Sequence, residues 1–389
     1  MREYKGTGTL QFPGIPITKG TFKLVFEDSG ETNLSFSPTT TVIQLMALPR
    51  NSGKFIGNSS NPQCNIEINT IYLSTVTMDT RGYRIKAKIF HPVKIIYKQR
   101  KNEKIEVCRG LSNLIVYGTK SIQYGKSWIM GKTKCILDKR EVQLIQLPDF
   151  KKIIEHVKKF KDVRITCELR LEGNYDEIDF IRNICENVQH LCSLASGNFV
   201  TAMYEDIYLN EKLYETTLLP LKTYPFSNNI PLIDTSLHGR DEFKTFLETT
   251  YLDYLKFKSV LGLDYVIEFF TSSKIYSPLE AKYLLATTAF ECLENYFRHW
   301  KSLHEIRSLK TKMSRMFTFF GFNFTNTELE SYRKNRNSII HEGRFPSSTN
   351  SFTAAMELRN LIERFLLFLL GYKNKPYYNV INQKKENLT

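Results

Sequence analysis

The sequence predicts an α+β protein in two parts, a β-rich N-terminal domain over residues 1–235 and an all-α C-terminal bundle over residues 236–389. Apolar and polar residues alternate with period two in the first part, and apolar residues recur every three or four positions in the second. A stretch rich in Pro, Asn and Ser at 220–236 separates them, with Pro220, Pro225 and Pro231 in it. At 389 residues the chain is longer than one typical domain of about 100–200, so each part can bury its own core.

Strands come first. Thr21–Phe26, Thr32–Phe36, Asn65–Asn69, Tyr83–Ile89 and Arg164–Leu169 alternate as half-buried antiparallel strands do. Asp28-Ser29-Gly30-Glu31 supplies turn residues between the first two, and Gly or Asn clusters at 51–53, 58–62 and 80–82 separate later ones. One helix interrupts at Asp149–Lys161, with Asp149 as N-cap and Ile153, Ile154 and Val157 on its buried stripe. From Asp176 the spacing turns helical through Ile178, Ile181, Ile184, Cys185, Val188, Leu191 and Cys192. Beyond the boundary, helices are predicted at 241–261, 263–272, 277–304, 304–320, 328–340 and 352–370, punctuated by Gly262, Pro278, Gly321, Gly343 and Gly371. Ser277-Pro278-Leu279-Glu280 reads as a helix start, with Ser277 as cap and Pro278 in the first turn.

Composition excludes several classes. Hydrophobic residues at 42%, with 27 Phe and 21 Tyr, are too many for a disordered chain. The apolar run Phe365–Leu370 is far shorter than the roughly 18–20 residues of a membrane span, and the N-terminus has no apolar signal segment, so a cytoplasmic protein is expected. Seven cysteines at scattered positions lack CxxC pairing and are expected to be reduced, mostly buried thiols. Gly125-Lys126-Ser127 and Gly131-Lys132-Thr133 lack the earlier glycine of a phosphate loop. Cys185, His190 and Cys192 lie close in sequence, but Cys185 and Cys192 continue a helix's apolar stripe as buried thiols, so neither metal nor cofactor is expected.

The net charge is +14, and residues 1–172 carry all of it, with 29 Lys and Arg against 15 Asp and Glu. Residues 173–389 balance at 25 against 25, yet Arg298 to Arg344 contains ten basic and four acidic residues. Such patches attract polyanions, which makes nucleic acid a natural partner class.

Within that local excess lies Tyr332-Arg333-Lys334-Asn335-Arg336-Asn337-Ser338-Ile339-Ile340-His341-Glu342-Gly343-Arg344. Helical spacing puts Arg333, Asn337 and His341 along one face, with Arg336 about 60° to one side, and Arg336 and His341 about 140° apart. Convergence of Arg336 and His341 on one phosphate then requires a bent side chain, a frayed helix end or a second copy of the motif. A polar helix end with cations complementing the dipole is the plain alternative.

These residues resemble the RNxxxH form of the motif in HEPN domains, helical modules in which Arg and His form a metal-independent ribonuclease site. Ala289-Phe290-Glu291-Cys292-Leu293-Glu294 resembles that family's acidic first helix, and Leu361–Tyr372 its closing helix. Gly8–Gly14 leading into Gly20–Leu24 resembles the β-rich domain of ApeA-type anti-phage proteins. The resemblance implies an endoribonuclease acting in abortive infection, a toxin-like defence, with RNA such as tRNA as substrate. It further implies a homodimer whose RNxxxH helices face each other and a phage trigger sensed by the N-terminal domain. Arg336, His341, Asn337 and Glu291 would then be catalytic, leaving 2′,3′-cyclic phosphate and 5′-OH ends. Arg333, Lys334, Arg344, Arg307, Lys310, Lys312 and Arg315 are candidates for backbone phosphate contacts. Two alternatives stay open: a catalytically silent HEPN module binding RNA or protein, and a basic N-terminal sensor domain as the working part.

Overall fold

The computed structural model describes residues 1–389 except 14, 40–52, 80–81, 90–91, 98–103, 125–126, 220–224, 228–229, 276–277 and 389. In chain order the strands are β1 (Arg2–Gln11), β2 (Thr18–Phe26), β3 (Thr32–Pro38), β4 (Gly53–Asn61), β5 (Gln63–Asp79), β6 (Gly82–Lys88), β7 (Val93–Tyr97), β8 (Lys104–Ser112), β9 (Lys120–Tyr124), β10 (Ser127–Leu137) and β11 (Arg140–Gln146). Helix α1 (Phe150–Phe160), β12 (Ile165–Asn174), α2 (Ile178–Ser196), β13 (Thr201–Leu209) and β14 (Lys212–Leu218) follow. Then come α3 (Arg240–Leu261), α4 (Leu263–Ser273), α5 (Leu279–Trp300), α6 (Leu309–Phe320), α7 (Asn326–Glu342), α8 (Ser351–Leu369) and the hairpin β15 (Pro376–Asn379) and β16 (Lys384–Asn387). The architecture is α+β, strands dominating the first half and helices the second.

Two compact units interleave along the chain, one comprising Met1–Ser112, Asp162–Asn183 and Thr201–Thr223, the other Asn113–Lys161, Ile184–Val200 and Tyr224–Thr389. A single cut at 235 does not describe this division. Backbone pairing explains it: β12 and β13 both bond to β8, and β14 bonds to β7, which draws later segments into the first unit. The second unit is not purely helical either, because β9, β10 and β11 form an antiparallel meander within it.

In the first unit β4, β1, β2, β3, β6 and β5 pair in that order, and β4 pairs also with β5, so the strands close into a barrel. Alternation sends Leu10, Phe22, Leu24, Phe36, Phe55 and Ile66 inward, all buried, and Lys5, Thr7, Thr21, Lys23 and Lys86 outward. Phe55 packs edge-on against Phe22 and Phe36, with ring centroids 5.0 and 6.2 Å apart. The inward position at Gly20 is kept clear for this packing: a Cβ there would stand 2.3 Å from the Ser37 carbonyl oxygen and 2.6 Å from the Phe36 ring.

In the second unit α5 is the central helix, touching α3, α4, α6, α7 and α8. Phe290 of α5 packs edge-on against Phe317 of α6, Tyr332 of α7 and Phe365 of α8, so one apolar anchor fixes three helices around it. Arg359 and Lys274 both reach the fully buried Glu363 carboxylate, at 2.8 and 2.9 Å. Among the described residues no helix is long and apolar enough to cross a membrane.

Local expectations fare unevenly. Asp149 sits at the N-cap of α1 but its side chain makes no capping bond, and Phe150, not Ile153, joins Ile154 and Val157 on the buried side. Helix α5 starts at Leu279 with Pro278 at the cap position itself; Ser277 lies outside the described residues. Helix α6 begins at Leu309, where Ser308 accepts a hydrogen bond from the Thr311 amide, and not near His304. Gly125 and Lys126 also lie outside the described residues, and Gly131-Lys132-Thr133 lies in β10, an extended strand. Six of the seven cysteines are buried and Cys292 is half-buried; none is bridged.

Candidate functional site

Helix α7 is fixed at both ends by its own sequence. Thr325 accepts from the Glu328 amide while Glu328 accepts from the Thr325 amide at 2.7 Å, a reciprocal cap. Glu328 also takes the Arg364 guanidinium, which ties the start of α7 to α8. At the other end Gly343 adopts φ 74° and its amide donates to the Ile339 carbonyl, so the helix stops at Glu342, one residue after His341. Ser338 then donates to the Arg344 carbonyl at 2.9 Å and holds the departing chain.

Between these ends α7 presents Arg336 to α5. The Arg336 Nε donates to Glu291 Oε1 at 2.9 Å and Nη2 to Oε2 at 3.3 Å, a two-point pair, while Nη1 donates to Asn337 Oδ1 at 3.3 Å. Beneath it Tyr332 is buried, and burial pushes its hydroxyl well above the ordinary value, with the Glu291 carboxylate adding to the effect. Burial, and then the same carboxylate, also raises the Cys292 thiol, so it stays protonated and is no nucleophile at neutral pH.

Arg336, Asn337 and Glu291 open onto a cleft of about 650 Å³ whose wall also includes Glu294, Asn295, Arg298, Arg307, Lys312 and Arg333. Cations outnumber carboxylates there, five to three counting Glu305. Arg333 is engaged by Glu330, and Lys312 by Glu305 at 3.7 Å.

The remaining sequence candidates are placed differently. His341 is exposed and does not line the cleft; five residues beyond Arg336 on a regular helix, it points about 140° away, so one chain does not bring the two together. Lys334 and Arg344 are exposed and also outside the cleft wall. Lys310 faces Glu330 at 3.8 Å and does not line the cleft. Arg315 is spent internally, donating to the buried Glu294 at 3.1 Å and to the His304 carbonyl at 3.1 Å.

The chain matches no family model, no curated protein and no solved structure. The site is therefore read from its own geometry. Sequence reasoning singled out Glu291 on α5 but missed Glu294, Asn295 and Arg298, which extend the same face at three, four and seven residues. That spacing was the available signal. Chemically, the cleft combines an oriented guanidinium, an amide and a cationic rim, a set suited to a phosphodiester.

Proposed function

We propose that the chain is a metal-independent endoribonuclease of the HEPN type, cutting tRNA or another structured RNA in an abortive-infection defence, with the strand-rich part sensing a phage trigger. The observation that carries this reading is the two-point pair between Arg336 and Glu291 at the cleft wall. It aims the guanidinium, and three of its five N–H groups are used by Glu291 and Asn337, which leaves two on the Nη atoms for phosphate oxygens.

In the proposed reaction a ribose 2′-OH attacks the adjacent phosphorus, the bond to the 5′ oxygen breaks, and a 2′,3′-cyclic phosphate and a 5′-OH result. His341 takes the 2′-OH proton or supplies one to the leaving oxygen, the general base or general acid role open to an imidazole. Arg336 donates to the phosphorane oxygens as charge gathers on them. The need for a 2′-OH makes RNA the substrate and DNA not. Because His341 and Arg336 diverge on one helix, the site is completed by a second copy, with two α7 helices facing across a two-fold axis. Arg298, Arg307, Lys312 and Arg333 hold the flanking backbone.

The divergence of His341 from Arg336 in one chain also favours a second reading, a silent module that binds RNA through the same cleft. Incubating purified protein with tRNA in a chelator separates the two. Cleavage by the wild type and none by His341→Ala supports the enzyme; intact RNA with both, or equal cleavage by both, supports the silent module.

A further inference from the structure

The outer face of the barrel carries a second cationic site, remote in sequence from α7. Lys5 lies directly opposite Lys23, Lys23 opposite Ser35, and Ser35 opposite Lys86, so one row runs across β1, β2, β3 and β6. At about 4.8 Å per strand it spans roughly 14 Å. A parallel row passes through Thr7, Thr21 and Ser37. Arg84 stands one pleat repeat from Lys86 on the same strand. The rows line a groove of about 720 Å³.

Like charges set directly across a sheet repel, and an anion between them reverses the sign. At one end of the groove the protein supplies that anion itself: Glu3 takes Lys5 at 2.5 Å and Lys23 at 2.7 Å. At the other end Arg84 and Lys86 are exposed and have no carboxylate partner among the described residues. The hydroxyls of Thr7, Thr21, Ser35 and Ser37 between the two ends are likewise without an internal partner among the described residues. The entire charge excess of the chain falls in residues 1–172, which include this face.

We propose that this face binds the sugar–phosphate backbone of a single nucleic-acid strand. Cations set among hydroxyl donors match closely spaced phosphates rich in acceptors, and a row of roughly 14 Å is long enough to meet more than one phosphate of a strand. Phe22 lines the groove but is only 4% exposed, so it offers no ring for base stacking, and recognition is independent of sequence. The groove also lacks the deep apolar socket in which a protein partner would anchor. The site stands apart from the ribonuclease reading.

The test uses the full-length chain with fluorescent 20-nucleotide oligo(dT), which lacks the 2′-OH and cannot be cut by the proposed reaction, and oligo(U) on a His341→Ala background. Anisotropy is followed against salt, with ultraviolet cross-linking to locate the contact. Replacing Arg84 and Lys86 by Ser should lower the log–log salt slope by about 1.4, at 0.7 per cation on a single strand, and remove cross-links to β2, β3 and β6. The charge-keeping pair Arg84→Lys and Lys86→Arg should restore both. No binding, an unchanged slope, cross-links confined to 298–344, or displacement by polyglutamate as effective as by nucleic acid would each overturn the proposal, the last by making the ligand an acidic polypeptide.

Discussion

The guanidinium of Arg336 and the carboxylate of Glu291 meet at two points, 2.9 and 3.3 Å, across helices α7 and α5. Both side chains are partly open to solvent, at 27% and 36% exposure, so the pair contributes little to stability, under about 1 kcal/mol. Its consequence is orientation. Glu291→Gln should leave the melting temperature nearly unchanged while turnover falls about 10–100-fold with little change in KM, since in the proposed reaction Arg336 acts in the transition state. Steady-state kinetics beside a thermal melt checks this; an equal loss in both KM and stability would make Glu291 a structural residue.

If His341 and Arg336 act together only across a dimer, two inactive variants should complement each other. Mixing Arg336→Ala with His341→Ala protomers under exchange builds one intact site in each mixed dimer, and random pairing restores about a quarter of wild-type cleavage. A site contained in one chain restores none.

Arg315 is predicted to behave as a structural residue despite its place in a basic stretch. It compensates Glu294, which is 3% exposed, so Arg315→Ala strands a buried carboxylate and should cost about 3 kcal/mol of unfolding free energy by urea denaturation. Lys312→Ser, on the cleft rim, should leave stability within about 0.5 kcal/mol and weaken RNA binding with a salt slope lower by about 0.7.

The buried cluster of α4 and α8 gives a pH signature. Burial pushes the Lys274 ammonium down to about 8, outweighing the Glu363 carboxylate beside it, whereas an unfolded lysine titrates near 10.4. Glu363 is itself held low: burial opposes its charge, but Arg359 and Lys274 outweigh burial. Between about pH 8 and 10.4 the unfolded chain therefore binds the proton that the native chain has released. The destabilisation is complete below pH 8 and is relieved as pH rises through this window, by at most about 1.4 kcal/mol per pH unit. Urea unfolding of wild type and Lys274→Met at pH 7.5 and 9.5 checks the sign: the wild type should gain on the variant at the higher pH.

Gly20→Ala should destabilise the barrel by about 1–3 kcal/mol, since the added methyl meets backbone at Ser37 as well as the Phe36 ring. A shift in urea midpoint with an unchanged slope is the expected readout.

Strand and helix identity was legible where periodicity was strong: the alternation over Thr21–Phe26 lies in β2, and Gly262, Gly321 and Gly343 each cap a helix in the left-handed conformation. The interleaving of the two units was not, because it depends on β12, β13 and β14 pairing with strands far away in sequence. At the site, Arg336 and Glu291 could be named from their motifs, 45 residues apart, but not their contact. Lys310 and Arg315 look like phosphate ligands in sequence; Glu330 and Glu294, brought near by folding, engage them.

The central claim is that this chain cuts RNA through Arg336. Sequencing RNA ends from cells expressing wild type or Arg336→Ala tests it most directly. The account predicts discrete new 5′-OH ends, paired with 2′,3′-cyclic phosphates, in the wild type and their loss in the variant. Identical end profiles in the two strains would contradict it.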